Sequence, residues 1–385
     1  MSEYTDPNSS SLSDASADIA RLIASELAPR VCAIDLEGEY PEGFLRQLGQ
    51  LGGFAGVVAP AFGGNGKGIV DTIGVIAQVG ESCLSTAFAV WCQTACARYL
   101  QLSDNTALKA ELLPALVSGR QLGGTGLSNT LKSCCEIERP LLVATRVDGG
   151  YEISGTLPWV SNLGNDHVFV SACPVDGDGR LVFFVVRCDQ AGFRLLDGAH
   201  FAALEGTRTL ACQFRRVFIA DGSVLAHPEQ SAEYLARIQP GMILAQLGMG
   251  IGLVRDCIRL IDSAGRTHAH INCFEEDQVD SLHAALAAAA AEVDRLARRL
   301  DAGYAVDERA PTLLDILRVR LAGGELSLRA AQAALLHQGA RGYLRTAGAQ
   351  RRLREACFIA IVTPSLKHLR REIARREAAA ERLAA

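Results

Sequence analysis

The hydrophobic period of this 385-residue chain changes twice, and that change constrains the fold more than any single motif. From about residue 14 to residue 118, apolar side chains recur at helical spacing, as at Ile19 and Ile23. Between 123 and 226 they alternate along short segments, two pairs of which are separated by Asp–Gly turns typical of hairpins. From 231 onwards the spacing is helical again. The chain is therefore predicted to fold in the order α, β, α.

This order predicts an α+β protein with three domains. Long amphipathic helices joined by short loops favour an antiparallel bundle for the last part of the chain. The first residues, MSEYTDPNSSSLS, are polar and favour a frayed end. The expected units are a disordered tail (1–13), an N-terminal helical domain (14–120), a middle antiparallel β domain (121–228) and a C-terminal four-helix bundle (229–385).

Composition excludes several classes of function. The net charge of −5 supplies no basic field for nucleic acid. The N-terminus lacks the order of a signal peptide, and no run of 18 apolar residues is present, so we expect a cytoplasmic protein with no membrane or nucleic-acid partner. The twelve cysteines are scattered without CxxC or zinc-finger spacing, which predicts free thiols and no metal site.

Two glycine-rich runs invite a nucleotide-binding interpretation, and both fail it. The run 63–67 lacks the first glycine and the final hydroxyl residue of a phosphate loop, because Ala61 and Gly68 stand there. Gly248, Gly250 and Gly252 lie inside a helical pattern with no strand before them, which favours close helix packing. The basic run 367–376 is expected to be a solvated helix face, with subunit or phosphate contact as the alternative.

Four segments together resemble the acyl-CoA dehydrogenase superfamily. The most specific are GYEISGTLPWVSN (150–162), similar to the family's "GY.lnG.K.WItn", and the stretch from Gly342 to Ala356, similar to "GY…ERllRDa". The others are the stretch from Gly53 to Gly64 and the segment from Phe214 to Leu225. In order and spacing they cover nearly the whole chain, so the resemblance also implies the α–β–α fold.

The resemblance further implies FAD, bound between the middle domain and the bundle, in a homodimer or homotetramer. Trp159 matches the family tryptophan beside the flavin ring, and Ser161 matches a small hydroxyl residue at the ring edge. Ser128 falls where the family has a threonine. The cofactor-binding positions implied are Leu127, Ser128, Trp159, Ser161, Arg266, Gln338 and Gly339.

The largest departure from the family concerns the catalytic base. The family's glutamate position falls on Thr363, whose hydroxyl is not expected to act as a base near neutral pH. The second position used by some relatives is also empty, because 237–248 contains no Asp or Glu. His337 and His368 are the nearby candidates for a replacement.

Three functions stay open. The first is an FAD-dependent oxidoreductase that acts on the CH–CH group of an acyl thioester, with coenzyme A or a carrier protein as the carrier, and passes electrons to an acceptor. The second is a flavin-dependent monooxygenase or oxidase that acts on another small molecule and is served by a flavin reductase, for which no α-proton base is needed. The third is a non-catalytic relative.

Overall fold

The first third of the chain folds into helices. The structure, a computed structural model, describes residues 16–384, so the predicted disordered tail (1–13) lies outside the described residues. The helices are α1 (16–22), α2 (Val31–Leu36), α3 (Glu42–Gln50), α4 (Gly68–Ser82), α5 (Leu84–Leu102) and α6 (Thr106–Val117). Helix α5 is almost wholly buried, which explains why it carries only one charged residue, Arg98.

The middle third forms two four-stranded sheets, ordered β1-β4-β5-β8 and β2-β3-β7-β6. The elements are β1 (Gly123–Thr125), helix α7 (Ser128–Cys134), β2 (Leu142–Val147), β3 (Gly150–Val160), β4 (Val168–Pro174), β5 (Leu181–Arg187), β6 (Phe193–Leu196), β7 (Leu210–Ala220) and β8 (Val224–Ala226). Apolar side chains between the sheets form their own core around Phe169, Phe193 and Phe214.

Both predicted hairpins are present. Val147 pairs with Gly150 across the first turn, and Pro174 pairs with Leu181 across the second. The strand pairs are antiparallel, as predicted for this domain, except at one edge, where β1 runs parallel to β4. Strand β1 is only three residues long and rich in glycine, so it carries too little alternation to be recognised from the sequence.

The last third is a helical bundle. Its helices are α8 (Ser231–Ala245), α9 (Leu247–Asn272), α10 (Val279–Ala302), α11 (Arg309–Gln338), α12 (Gly348–Ile361) and α13 (Leu366–Ala384). Helix α11 ends at Gln338, because the next residue, Gly339, adopts a positive φ of 56°. By length and hydropathy the helical stretch Pro228–Asn272 could cross a membrane, but 89% of its apolar window is buried, as in a core helix.

The glycines of α9 serve helix packing, as expected. A Cβ on Gly248 would lie 2.8 Å from the carbonyl oxygen of Ile73, and one on Gly252 would lie 2.3 Å from that of Ala77. Both carbonyls belong to α4, so these glycines let the first helical part approach the bundle closely. This packing fixes the walls around the candidate site.

A buried ionic cluster joins the same helices. Arg352 of α12 is fully buried and donates to Asp256 of α9 at 2.7 Å and to Glu355 at 2.8 Å. It also donates to the carbonyl oxygens of Gly80 and Glu81 at the end of α4. Every polar group of the arginine therefore has a partner, as burial of a charge requires.

Candidate functional site

Two residues predicted for the site are in direct contact. Ser128 begins α7, and Thr363 lies between α12 and α13, 235 positions further along the chain. Their hydroxyl oxygens are 2.7 Å apart, which is hydrogen-bond distance. The fold thus brings the position of the family threonine and the position of the family glutamate to one point, with a hydroxyl on each side.

A buried arginine, Arg320, is connected to Thr363 through hydrogen bonds of Gln246. Gln246, between α8 and α9, donates from Nε2 to the Thr363 carbonyl oxygen at 2.9 Å. Its Oε1 accepts from Nε of Arg320 on α11 at 3.0 Å, and Arg320 also donates to the carbonyl oxygen of Ile359 at 2.7 Å. Arg320 is 1% exposed and has no carboxylate partner among the described residues, so burial lowers its pKa to about 10. A positive charge therefore lies two hydrogen bonds from the site.

A narrow pocket opens beside Thr363, between α7, α8, α11 and α13. The space in it that a water-sized sphere can occupy is about 20 Å³, which is room for about one water molecule, so a larger ligand has to widen the pocket. Leu131, Met242, Leu317 and Leu369 are among its apolar walls. The polar lining residues are Gln239, Thr363, His368, Glu372 and Arg376. An apolar slot with a few convergent polar groups is the usual character of a small-molecule site.

Three ionisable groups converge in this pocket. The side-chain ligand atoms of Cys135, His368 and Glu372 all lie within 4.8 Å of one another. Burial lowers the pKa of His368, and burial together with the Glu372 charge raises the pKa of Cys135 to about 11. Near neutral pH the thiol is therefore protonated and the imidazole is uncharged.

The residues predicted to contact the flavin ring share one edge of the middle sheets. Trp159, near the end of β3, is 57% exposed, with Phe201 edge-on at 6.3 Å between ring centroids. Ser161 pairs with Thr125 at the end of β1, and the chain then reaches Leu127 and Ser128 within three residues. The indole is thus not a core residue of the sheet.

The hydroxyl of Ser161 already has a partner. It lies 2.6 Å from Oγ1 of Thr209, which in turn lies 2.7 Å from Oγ1 of Thr207. Leu127 is buried, so its backbone rather than its side chain can serve a ligand. These two predicted contacts stay predictions.

The other three predicted positions lie elsewhere in the bundle. Arg266 is exposed on α9 and pairs with Asp262 at 3.0 Å. Gln338 and Gly339 end α11, where Asn272 of α9 donates to the carbonyl oxygen of the neighbouring His337. Within residues 16–384, no hydrogen bond or ion pair joins them to Ser128 or Thr363. Their role in binding a cofactor stays a prediction.

Sequence reasoning missed most of the polar groups around the site. Gln246 and Arg320 sit in helical patterns that gave no sign of burial. Glu372 lies nine residues after Thr363 in a basic run, and Cys135 is one of the scattered cysteines, so neither stands out in the sequence. One available signal was the spacing of His368 and Glu372, because residues four apart share a helix face.

Comparison with known proteins shows similarity to acyl-CoA dehydrogenases. Residues 13–120 match the family model "Acyl-CoA dehydrogenase, N-terminal domain". The chain is 24% identical to benzylmalonyl-CoA dehydrogenase of Aromatoleum aromaticum over 61% of its own length and 63% of that protein, just under two thirds. It is 24% identical to the probable acyl-CoA dehydrogenase YngJ of Bacillus subtilis over 87% of its own length and 90% of that protein.

Solved structures share the whole fold. Butyryl-CoA dehydrogenase from Megasphaera elsdenii superimposes with a TM-score of 0.84 at 16% identity, covering 97% of this chain and 99% of that one. Dibenzothiophene monooxygenase (TdsC) from Paenibacillus sp. A11-2 superimposes with a TM-score of 0.80 at 18% identity, covering 94% and 95%. The α+β fold class predicted from the sequence is confirmed.

These findings define the class first: a protein of helices, paired sheets and a helical bundle, with a slot of apolar walls and a few polar groups between α7 and the bundle. Residues 13–120 match the acyl-CoA dehydrogenase N-terminal domain, and most of the chain is similar in sequence and fold to members of the acyl-CoA dehydrogenase superfamily. Members of that superfamily are FAD-binding flavoproteins, and the curated relatives are oxidoreductases that act on acyl-CoA thioesters.

Proposed function

We propose that this protein is an FAD-dependent oxidoreductase that acts on the CH–CH group of an acyl thioester. The observation that carries the proposal is the contact of Ser128 with Thr363 beside a pocket, at the two positions that the family uses around its reacting atoms. The thioester carrier is coenzyme A or a carrier protein, and the electrons leave to a separate acceptor.

The residues present fit a flavin. A flavin ring needs a flat apolar wall and a few polar groups at its edge. The half-exposed indole of Trp159 offers that wall. Ser128, Ser161 and the backbone at Leu127 offer the polar edge, within a few residues of the Thr125–Ser161 pairing. In a homodimer or homotetramer, Arg266, Gln338 and Gly339 would reach the partner's cofactor.

When bound, FAD supplies the two-electron oxidant that the reaction requires. The chain's own groups then hold the thioester and manage charge. The Thr363 hydroxyl can donate to or accept from a thioester group, but it is a poor proton acceptor near neutral pH. Arg320, acting through Gln246, places positive charge behind the Thr363 carbonyl and so favours negative charge developing in the slot.

An absorbance spectrum tests the proposal directly. We expect the purified protein to be yellow, or to become so with added FAD, and to bleach anaerobically with at least one of a panel of acyl-CoA thioesters. Trp159→Ala should weaken FAD binding at least about tenfold, while Phe218→Ala, which removes an equally exposed aromatic from β7, should leave it unchanged. A protein that binds no FAD under any reconstitution condition refutes the proposal.

A second function is favoured by the hydroxyl at position 363. A monooxygenase or oxidase on this fold needs no base for an α-proton, and the structure of dibenzothiophene monooxygenase matches along 94% of the chain. If bleaching requires an external flavin reductase and is followed by oxygen consumption with an oxygenated product, this second function replaces the first.

A further inference from the structure

A buried histidine shares the pocket with Thr363. His368 lies on the first turn of α13, is 7% exposed, and lines the pocket. Within residues 16–384 neither of its ring nitrogens makes a hydrogen bond; only its backbone N–H does, to Ser365. Neither ring nitrogen is fully enclosed, so each keeps some contact with solvent. Its ring is therefore available to whatever enters the pocket.

The groups facing this ring keep it neutral. Burial is the main cause that lowers the pKa of His368, and the positive charges of Arg371 and Lys132 add to it. Glu372 opposes them and raises the pKa. The remaining ionisable neighbours are the Cys135 thiol, just after α7, and Arg376, while the described residues of α8 and α11 that line the pocket are uncharged. An uncharged imidazole can accept a proton at neutral pH.

Glu372 is placed to orient the imidazole. It lies one helical turn after His368, and its Oε1 is buried without a hydrogen bond, 3.6 Å from Arg371 Nη1 and 3.5 Å from Arg375 Nη1. A carboxylate within 4.8 Å of a ring nitrogen needs only a small side-chain movement to accept its N–H. Such a bond fixes the tautomer and favours the imidazolium that forms on proton transfer.

We propose that His368 is the proton acceptor of this site and that Glu372 is its positioning residue. The proposal rests on the proposed thioester oxidation. The C–H bond next to the thioester carbonyl breaks, its electron pair becomes part of the new carbon–carbon double bond, and the proton passes to the His368 ring. The hydrogen and electron pair of the neighbouring carbon pass to the bound flavin, the oxidant. His368 then releases its proton to solvent at the pocket mouth.

Zinc is the competing occupant of the cluster, since thiolate, imidazole and carboxylate are zinc ligands. The charges argue against it. Arg371 and Arg375 stand within 3.6 Å of Glu372, and Arg376 lines the same pocket, so a divalent cation would meet three positive charges. The same charges do not oppose a neutral imidazole.

Exchange of the α-proton tests the base separately from flavin reduction. Butyryl-CoA, isovaleryl-CoA and phenylacetyl-CoA are incubated with the FAD-loaded protein in D2O, and deuterium uptake is followed by mass spectrometry. We expect exchange above the protein-free rate for at least one probe, and a loss of about 100-fold or more in His368→Gln. The control is His283→Gln, because His283 is an exposed histidine on α10 that does not line the pocket.

The outcomes separate the two proposals. Bleaching by a thioester that persists within threefold in His368→Gln overturns the base and leaves the proposed function standing. Exchange that depends on His368 without any bleaching overturns the proposed function and leaves the base standing. No exchange with any probe, or an equal loss in His283→Gln, overturns the base. Flavin content and circular dichroism confirm that each variant is folded.

Glu372→Gln gives a second, independent readout. Because Glu372 raises the pKa of His368, its removal should move the rising limb of the exchange rate against pH to lower pH. A merely structural role for Glu372 would lower the rate equally at every pH, and that result overturns the positioning assignment. Stoichiometric zinc that is lost in both His368→Gln and Cys135→Ser overturns the whole proposal.

Discussion

The buried cluster around Arg352 allows a sharp prediction about stability. Arg352→Met keeps most of the side-chain length but removes the charge that Asp256 and Glu355 share at 2.7 and 2.8 Å. Both carboxylates are 1% exposed, so each would be left in the core without its main partner. Breaking a buried pair in this way costs about 3–5 kcal/mol in the free energy of unfolding at neutral pH.

The loss of unfolding free energy in Arg352→Met should become smaller as the pH falls. In the wild type, burial would raise the pKa of Asp256, but the charge and hydrogen bond of Arg352 outweigh it and lower the pKa. A lowered pKa stabilises the fold above the unfolded value of about 3.9, and this stabilisation is lost as the pH falls. Without Arg352, burial dominates and raises the pKa of Asp256. In the variant this carboxylate is therefore protonated at a higher pH than in the wild type, which removes its buried charge. The difference should therefore shrink from pH 7.5 to pH 5.

Urea denaturation at both pH values measures the effect. The control is Arg216→Met, since Arg216 pairs with Glu152 on the surface with 78% of its side chain exposed, and its loss should leave the unfolding midpoint unchanged. A cost below about 1 kcal/mol for Arg352→Met at pH 7.5, or a cost that grows on acidification, would refute the assignment of Arg352 as the partner of two buried charges.

Three further predictions concern the site and the thiols. Ser128→Ala should lower the free energy of unfolding by about 0.5–1.5 kcal/mol in urea titrations, because it removes the bond to Thr363; no change would mean that the bond is absent in solution. Thr363→Glu should speed thioester-driven bleaching at least about tenfold by restoring a carboxylate, and unchanged rates with every thioester would show that the residue does not face the substrate. A thiol reagent should label four exposed cysteines first, and fast labelling of a buried thiol would contradict the packing. Those four are Cys32, Cys134, Cys273 and Cys357.

The sequence predicts the fold well because its period changes are long and regular. The sequence also assigns Ser128 and Thr363 to two family positions, since each lies at a fixed offset from a recognisable segment, but their direct contact comes from the structure. The sequence does not predict which polar side chains are buried around Thr363. The basic run 367–376 is typical of a solvated helix face, yet His368 is buried, because α13 packs against α11 and His368 faces the pocket that residues of α7 and α8 also line. Such burial depends on contacts between distant helices, which local spacing does not encode.

The bond between Ser128 and Thr363 is one of the polar links between α7 and the end of the bundle, and Arg371 forms another by donating to the Cys135 carbonyl oxygen. A molecule that bonds to either hydroxyl replaces the first link with one to itself, so occupancy of the slot changes how firmly the loop at 362–365 is held without disturbing either core. Protease cleavage at this loop, compared with and without a saturating thioester, would then report binding even in a variant that has lost all turnover.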